Sequence, residues 1–257
     1  MTKQVMVKEN VIDFLLFSLL KMTSKDIAEW KDEKVAFYCA KRAYADMDRT
    51  LRFSKTYEEK GESNKPDRKE FSECICMNIA RKVLDMLEKS PTEQAKFDEW
   101  HGETCKKIIS IASEYPKSGE EKILDEVEKH CEENQVRKER LYYGQAQKWL
   151  NMTIKYMWIT GKWETEFERI ESCLHIPIDN YIIEAVKNEY GGKDVLEKII
   201  NDEKKEKGRK KIDPWSRWGK GQYTRFQAAI KEKLGEQMPL EWEGKAWVEM
   251  ASKNQKR

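Results

Sequence analysis

Tyr142-Tyr143-Gly144-Gln145-Ala146-Gln147-Lys148-Trp149-Leu150-Asn151-Met152 places small residues ahead of a lysine, a tryptophan and an asparagine. Small residues opening a helix expose backbone amides toward an anion, and a lysine one turn further in faces the same ligand. The segment therefore predicts a helix whose start, Gly144, Gln145, Ala146 and Gln147, grips a phosphate. Lys148 presents an amine beside it.

Outward from this stretch the pattern stays helical. Only six Pro and twelve Gly interrupt it, and strand patterns are scarce, so the fold class is all-α. Val11 to Met22 predicts a first helix with Leu15, Leu16, Leu19 and Leu20 as its apolar stripe. Thr23-Ser24 caps the next segment, Lys25 to Trp30. Asp32 to Arg52 sets Val35, Cys39, Ala43 and Met47 on one face, and the polar stretch Glu58 to Asp67 follows as a loop. Phe71 to Leu87 is amphipathic, Ser90-Pro91-Thr92-Glu93 starts a helix through Trp100, and Lys106 to Ala112 and Lys122 to Cys131 continue the series. Asp202 to Lys211 is a solvated charge run. Pro214 to Phe226 and Glu232 to Met250 close the chain, the latter with Pro239, Trp242 and Trp247.

With 257 residues, 39% of them apolar, and nine Trp, the chain can bury a core. The 49 Lys and Arg nearly balance 47 Asp and Glu, which excludes nucleic-acid binding by bulk charge and confines any such site to a local patch. The Val11 to Leu20 run is too short to span a bilayer and lacks a basic start and a cleavage site, so no membrane partner and a cytoplasmic location are expected. Six Cys without a secretory pattern imply reduced thiols. His101 and Cys105 share a helical face, and His130 with Cys131 and Cys173 with His175 are also close in sequence. No CxxC pair accompanies them, so no metal and no cofactor are expected.

A second island, His175-Ile176-Pro177-Ile178-Asp179-Asn180-Tyr181-Ile182-Ile183, follows the first. Together the two resemble the helix-hairpin-helix superfamily of DNA base-excision glycosylases, in which a Gly-x-Gly-x-Lys-x-x-Asn-like hairpin precedes an apolar run into an aspartate-bearing helix. Gly144, Lys148 and Asn151 match the hairpin, and Ile176 to Ile182 resembles the run. Ala146 stands where the second hairpin glycine falls, where a positive-φ turn strains any residue with a Cβ. The interval from Lys148 to Asp179 is wide, with Trp158 to Ser172 as inserted sequence. Both departures are shared by the archaeal 8-oxoguanine glycosylases, the branch the chain resembles most. No cysteine follows Cys173, so the iron-sulfur loop of some relatives is absent. The similarity spans Gly144 to Val186.

The resemblance implies two helical lobes, 1–135 and 136–257, closing into one compact unit around a cleft. It implies DNA as partner, with no obligatory protein partner, and base excision with or without strand cleavage. Lys148 falls on the nucleophile position and Asp179 on that of the acid. Asp179 also suits a helix N-cap, and the two roles are compatible. Lys155, seven positions on along the same face, is the alternative amine. Trp149, Trp158, Trp215, Trp218 and Tyr223 are candidates to hold an extruded base, although Trp at helical spacing also belongs in a core. His175 is read as a core histidine or a catalytic one. Arg137, Lys138 and Arg140 either track the DNA backbone or are solvated. A DNA-binding protein without turnover and a helical interaction protein remain the other readings.

Overall fold

The computed structural model describes residues 9–51, 68–114, 141–189, 196 and 214–255. Among them the structure is all-helical, without strands. Helix α1 (Glu9–Leu20) ends at a left-handed Lys21, φ 59°. Of its expected stripe, Leu20 is buried and Leu16 and Leu19 are partly so. Leu15 is a correction: it lies in solvent with Val11, Phe14 and Phe17, because the helix turns only its C-terminal end to the core. Helix α2 (Ser24–Glu29) begins at a complete capping box, the Thr23 hydroxyl accepting from Asp26 N–H while the Asp26 carboxylate accepts from Thr23 N–H.

Helix α3 (Asp32–Met47) buries Val35, Cys39, Ala43 and Met47 on one face, as their i, i+4 spacing predicts. It stops before Arg52, tightening into a 3₁₀ turn at Asp48–Thr50. Helix α4 is Arg68–Lys89. Helix α5 (Gln94–Glu114) corrects two expectations at once: it does not end at Trp100 but runs on through Lys106 to Ala112 as one helix. Gly102 inside it normally weakens a helix by about 1 kcal/mol. Here burial of its neighbours His101, Thr104 and Cys105 overrides that weakness.

Helix α6 (Tyr143–Ile159) is buried continuously from Tyr143 to Ile154. It packs most extensively on α3, and also touches α4, α5 and the 3₁₀ turn Trp215–Arg217. Elements from both ends of the sequence therefore share one core, with Trp149, Trp218, Tyr223, Phe97, Phe167 and Phe226 among its largest fully buried side chains. After α6 come α7 (Glu164–Glu168), a 3₁₀ turn at Glu171–Cys173 and an irregular run into α8 (Asn180–Glu189). Helices α9 (Lys220–Leu234) and α10 (Pro239–Gln255) complete the described chain, and α10 packs on α8. The loop Glu58 to Asp67, the segment Lys122 to Cys131, the basic residues Arg137, Lys138 and Arg140, and the charge run Asp202 to Lys211 lie outside the described residues. No described helix is long and apolar enough to cross a membrane.

Candidate functional site

Lys148 lies in the second turn of α6, and Asp179 immediately precedes α8. The fold sets the Lys148 Nζ 2.9 Å from the Asp179 Oδ2, with 6% and 17% of the two side chains exposed. Asp179 also caps α8: its Oδ1 accepts from Ile182 N–H at 3.0 Å. The carboxylate is thereby held at both oxygens, one by the helix start and the other by the amine. The indole N–H of Trp247 in α10 donates to Oδ2 as well, at 3.2 Å.

A second ion pair stands beside the first. Lys155, two turns after Lys148 on the same face of α6, donates to Glu243 of α10, whose side chain is 1% exposed. Burial raises the Glu243 carboxyl above its usual range, opposed by Lys155 and Lys148. Both ion pairs, with the further carboxylates Asp46 and Glu184, line one cleft of about 810 Å³, within the roughly 300–1,000 Å³ of small-molecule sites. Its walls include Arg42, Arg49, Trp215, Tyr181 and Trp247. Tyr181 meets Trp247 edge-on, ring centres 5.2 Å apart. Arg42 pairs with Asp46 at 2.9 Å, and Asp46 accepts the Tyr156 hydroxyl.

The expected phosphate grip is corrected by the geometry. Gly144, Gln145, Ala146 and Gln147 stand at the start of α6 as expected, but all four are buried. The Gly144 N–H donates to Trp218 O at 2.9 Å, and the Gln145 and Ala146 amides bond to Tyr142 O. The Gln145 side chain accepts from Tyr142 N–H and donates to Thr50 O, so the helix start faces protein. Gly144 is needed for another reason: a Cβ there would sit 1.9 Å from the Trp215 carbonyl oxygen. Ala146 has helical backbone, where alanine carries no strain.

The aromatic candidates divide. Trp215 lines the cleft. Trp149 is fully buried, its indole N–H on Ala40 O at 3.0 Å and its ring against Tyr44, and therefore belongs to the core. Trp218 is 1% exposed and packs edge-on against Phe226; it too is core. Trp158 is partly buried against the core and does not line the cleft. Tyr223 is buried in a polar network with His101, Asn151 and His175. Cys105 Sγ lies 3.8 Å from His101 Nδ1, and burial pushes its thiol well up from the usual range. Among the described residues, no group of three or more His, Cys, Asp or Glu is arranged to hold a metal.

Glu243, Tyr181, Trp247, Arg42 and Arg49 went unrecognised in the sequence as cleft residues. The i, i+4 spacing of Glu243 and Trp247 puts them on one face of α10, but nothing local says which helix that face meets. No family model, curated protein or solved structure matches the chain.

Proposed function

We propose that the protein is a DNA glycosylase that removes a damaged or modified base, with Lys148 as nucleophile and Asp179 as its charged partner. The observation that carries this reading is the 2.9 Å approach of the two groups on the wall of a cleft large enough for an extruded base. In the reaction, Lys148 passes one proton to Asp179, its freed Nζ lone pair bonds to the anomeric carbon as the glycosidic bond breaks, and the bond's electron pair leaves with the base, which takes that proton. Asp179 stabilises the positive charge developing on the sugar and takes the proton that the amine sheds. Ring opening leaves an imine between Lys148 and the sugar, from which strand cleavage can proceed.

Trp215, Tyr181 and Trp247 offer apolar faces for the extruded base, and the Lys155–Glu243 pair offers hydrogen-bonding groups at its edge. Arg49, exposed on the cleft wall, suits the DNA backbone better than the covered start of α6 does. Incubation with abasic-site duplex DNA and borohydride is expected to yield a covalent adduct. Lys148→Gln abolishes it, whereas Asp179→Asn, which keeps a capping side chain, slows it by two or more orders of magnitude on the scale of roughly 10²–10³ for lost electrostatic stabilisation. Release of no base from any modified DNA, together with no adduct, refutes the proposal.

A second reading, a DNA-binding protein without turnover, is favoured by one feature. Each charge of the Lys148–Asp179 pair already has the other as partner, so the cleft wall is satisfied without substrate. It predicts salt-sensitive DNA binding that survives Asp179→Asn and no base release.

A further inference from the structure

A hydrogen-bond chain through Asn151 joins four elements. His175 Nε2–H donates to Asp98 Oδ1 in α5 at 2.9 Å, leaving Nδ1 to accept the Tyr223 hydroxyl of α9 at 2.8 Å. The Tyr223 oxygen accepts from Asn151 Nδ2 at 2.9 Å, and Asn151 Oδ1 accepts from His101 Nε2–H, also at 2.9 Å. Asn151 Nδ2 gives its other hydrogen to Gln147 Oε1 at 3.0 Å. One tautomer for each imidazole satisfies the whole chain, so its polarity runs in one direction. Burial works to raise the Asp98 carboxyl, but hydrogen bonds from His175 and Gln94 outweigh it and hold the group below its usual range.

This chain holds the two elements that carry the cleft pair. Asn151 lies one turn beyond Lys148 on α6, and His175 is the second residue of the irregular run, 174–179, that ends at Asp179. That run has little internal hydrogen bonding of its own. It is pinned at His175 by Asp98 and Tyr223, and at Ile176 by Gln227, which donates to Ile176 O at 2.6 Å and accepts from Ile176 N–H at 3.2 Å. Beyond this point Pro177 and Ile178 are buried, so a shift at residue 175 is passed along a packed chain to Asp179.

We propose that His175 is a positioning residue: clamped between Asp98 and Tyr223, it sets where the Asp179 carboxylate stands relative to the Lys148 amine. The proposal deepens the glycosylase reading, and the rate consequence below rests on that reading. The geometric consequence does not. His175→Ala removes the clamp, while His175→Gln can still donate to Asp98 and accept from Tyr223.

The test follows the indole N–H resonance of Trp247, which donates to Asp179, in full-length protein with ¹⁵N-labelled tryptophan and assignment by Trp247→Phe. The resonance is expected to move in His175→Ala and to return in His175→Gln. Adduct formation with abasic DNA in a single turnover is expected to fall by about 10²-fold in His175→Ala, the scale of a 1 Å misplacement, with duplex affinity unchanged and the glutamine variant restored. If His175→Ala does not fold, Tyr223→Phe, which removes only the hydroxyl, is expected to move the same resonance. A Trp247 resonance that stays in place in the folded variant overturns the proposal. Wild-type protein that forms no adduct overturns the glycosylase reading instead, and the resonance still decides the role of His175.

Discussion

At Gly144 a methyl group has nowhere to go. A Cβ added there would lie 1.9 Å from the Trp215 carbonyl oxygen and 3.2 Å from the Ser216 carbonyl carbon, both backbone atoms that cannot swing aside. Gly144→Ala must therefore push the 215–218 segment off α6, breaking the Gly144 N–H bond to Trp218 O. Overpacking of this kind destabilises by about 1–3 kcal/mol, and a urea melt of the variant is expected to show a loss in that range. An unchanged midpoint would mean the segment relaxes freely. The glycine was legible in the sequence as a required small residue, but its reason was not, because the carbonyl that demands it belongs to a segment some seventy positions away. The same holds for tryptophan: indoles suit both a core and a base-binding wall, so only tertiary structure separates Trp215 from Trp149 and Trp218.

Helix α6 is the element on which both the cleft and the buried network depend. One face carries Lys148 and Lys155 toward the cleft, and another carries Gln147 and Asn151 into the hydrogen-bond chain. The seven-residue repeat of the lysines made the first face readable in sequence. The second was half readable: Asn151 stood out, but its partners His101, His175 and Tyr223 come from three other elements. His101 in that chain makes the fold acid-sensitive. Burial, with His175 adding to it, holds its imidazole well below the ordinary value of 6.5. Below that value the unfolded chain binds a proton that the folded chain refuses, so stability present at neutral pH is lost as pH falls through 6.5. The slope reaches at most about 1.4 kcal/mol per pH unit. His101→Gln, whose amide can still donate to Asn151, is expected to flatten the stability profile between the neutral range and the ordinary carboxylate range. Equal slopes in the two proteins would contradict the burial argument.

Over the whole molecule, the cleft draws on both ends of the sequence, with Arg42 and Arg49 from the α3 end and Asp179, Glu243 and Trp247 from α8 and α10. The net charge of +2 leaves binding to local cations. If Arg49 touches a phosphate, Arg49→Ala weakens binding to every duplex sequence alike and reduces the magnitude of the log-affinity against log-salt slope by about one. A slope equal to that of the wild type would mean that Arg49 makes no phosphate contact. The all-α class was legible because helical periodicity needs no tertiary information. The cleft was legible in Lys148, Lys155, Asp179 and Trp215, while its other walls are assembled from faces that each read, in isolation, as ordinary amphipathic helix.

On the proposed reading, one amine, Lys148, attacks the sugar. Its most direct test is borohydride trapping of the wild-type protein on abasic-site DNA, followed by proteolysis and mass spectrometry to locate the reduced sugar adduct. The adduct is expected on the peptide containing Lys148, at Lys148. An adduct at Lys155, which faces the same cleft, or at any other amine contradicts it.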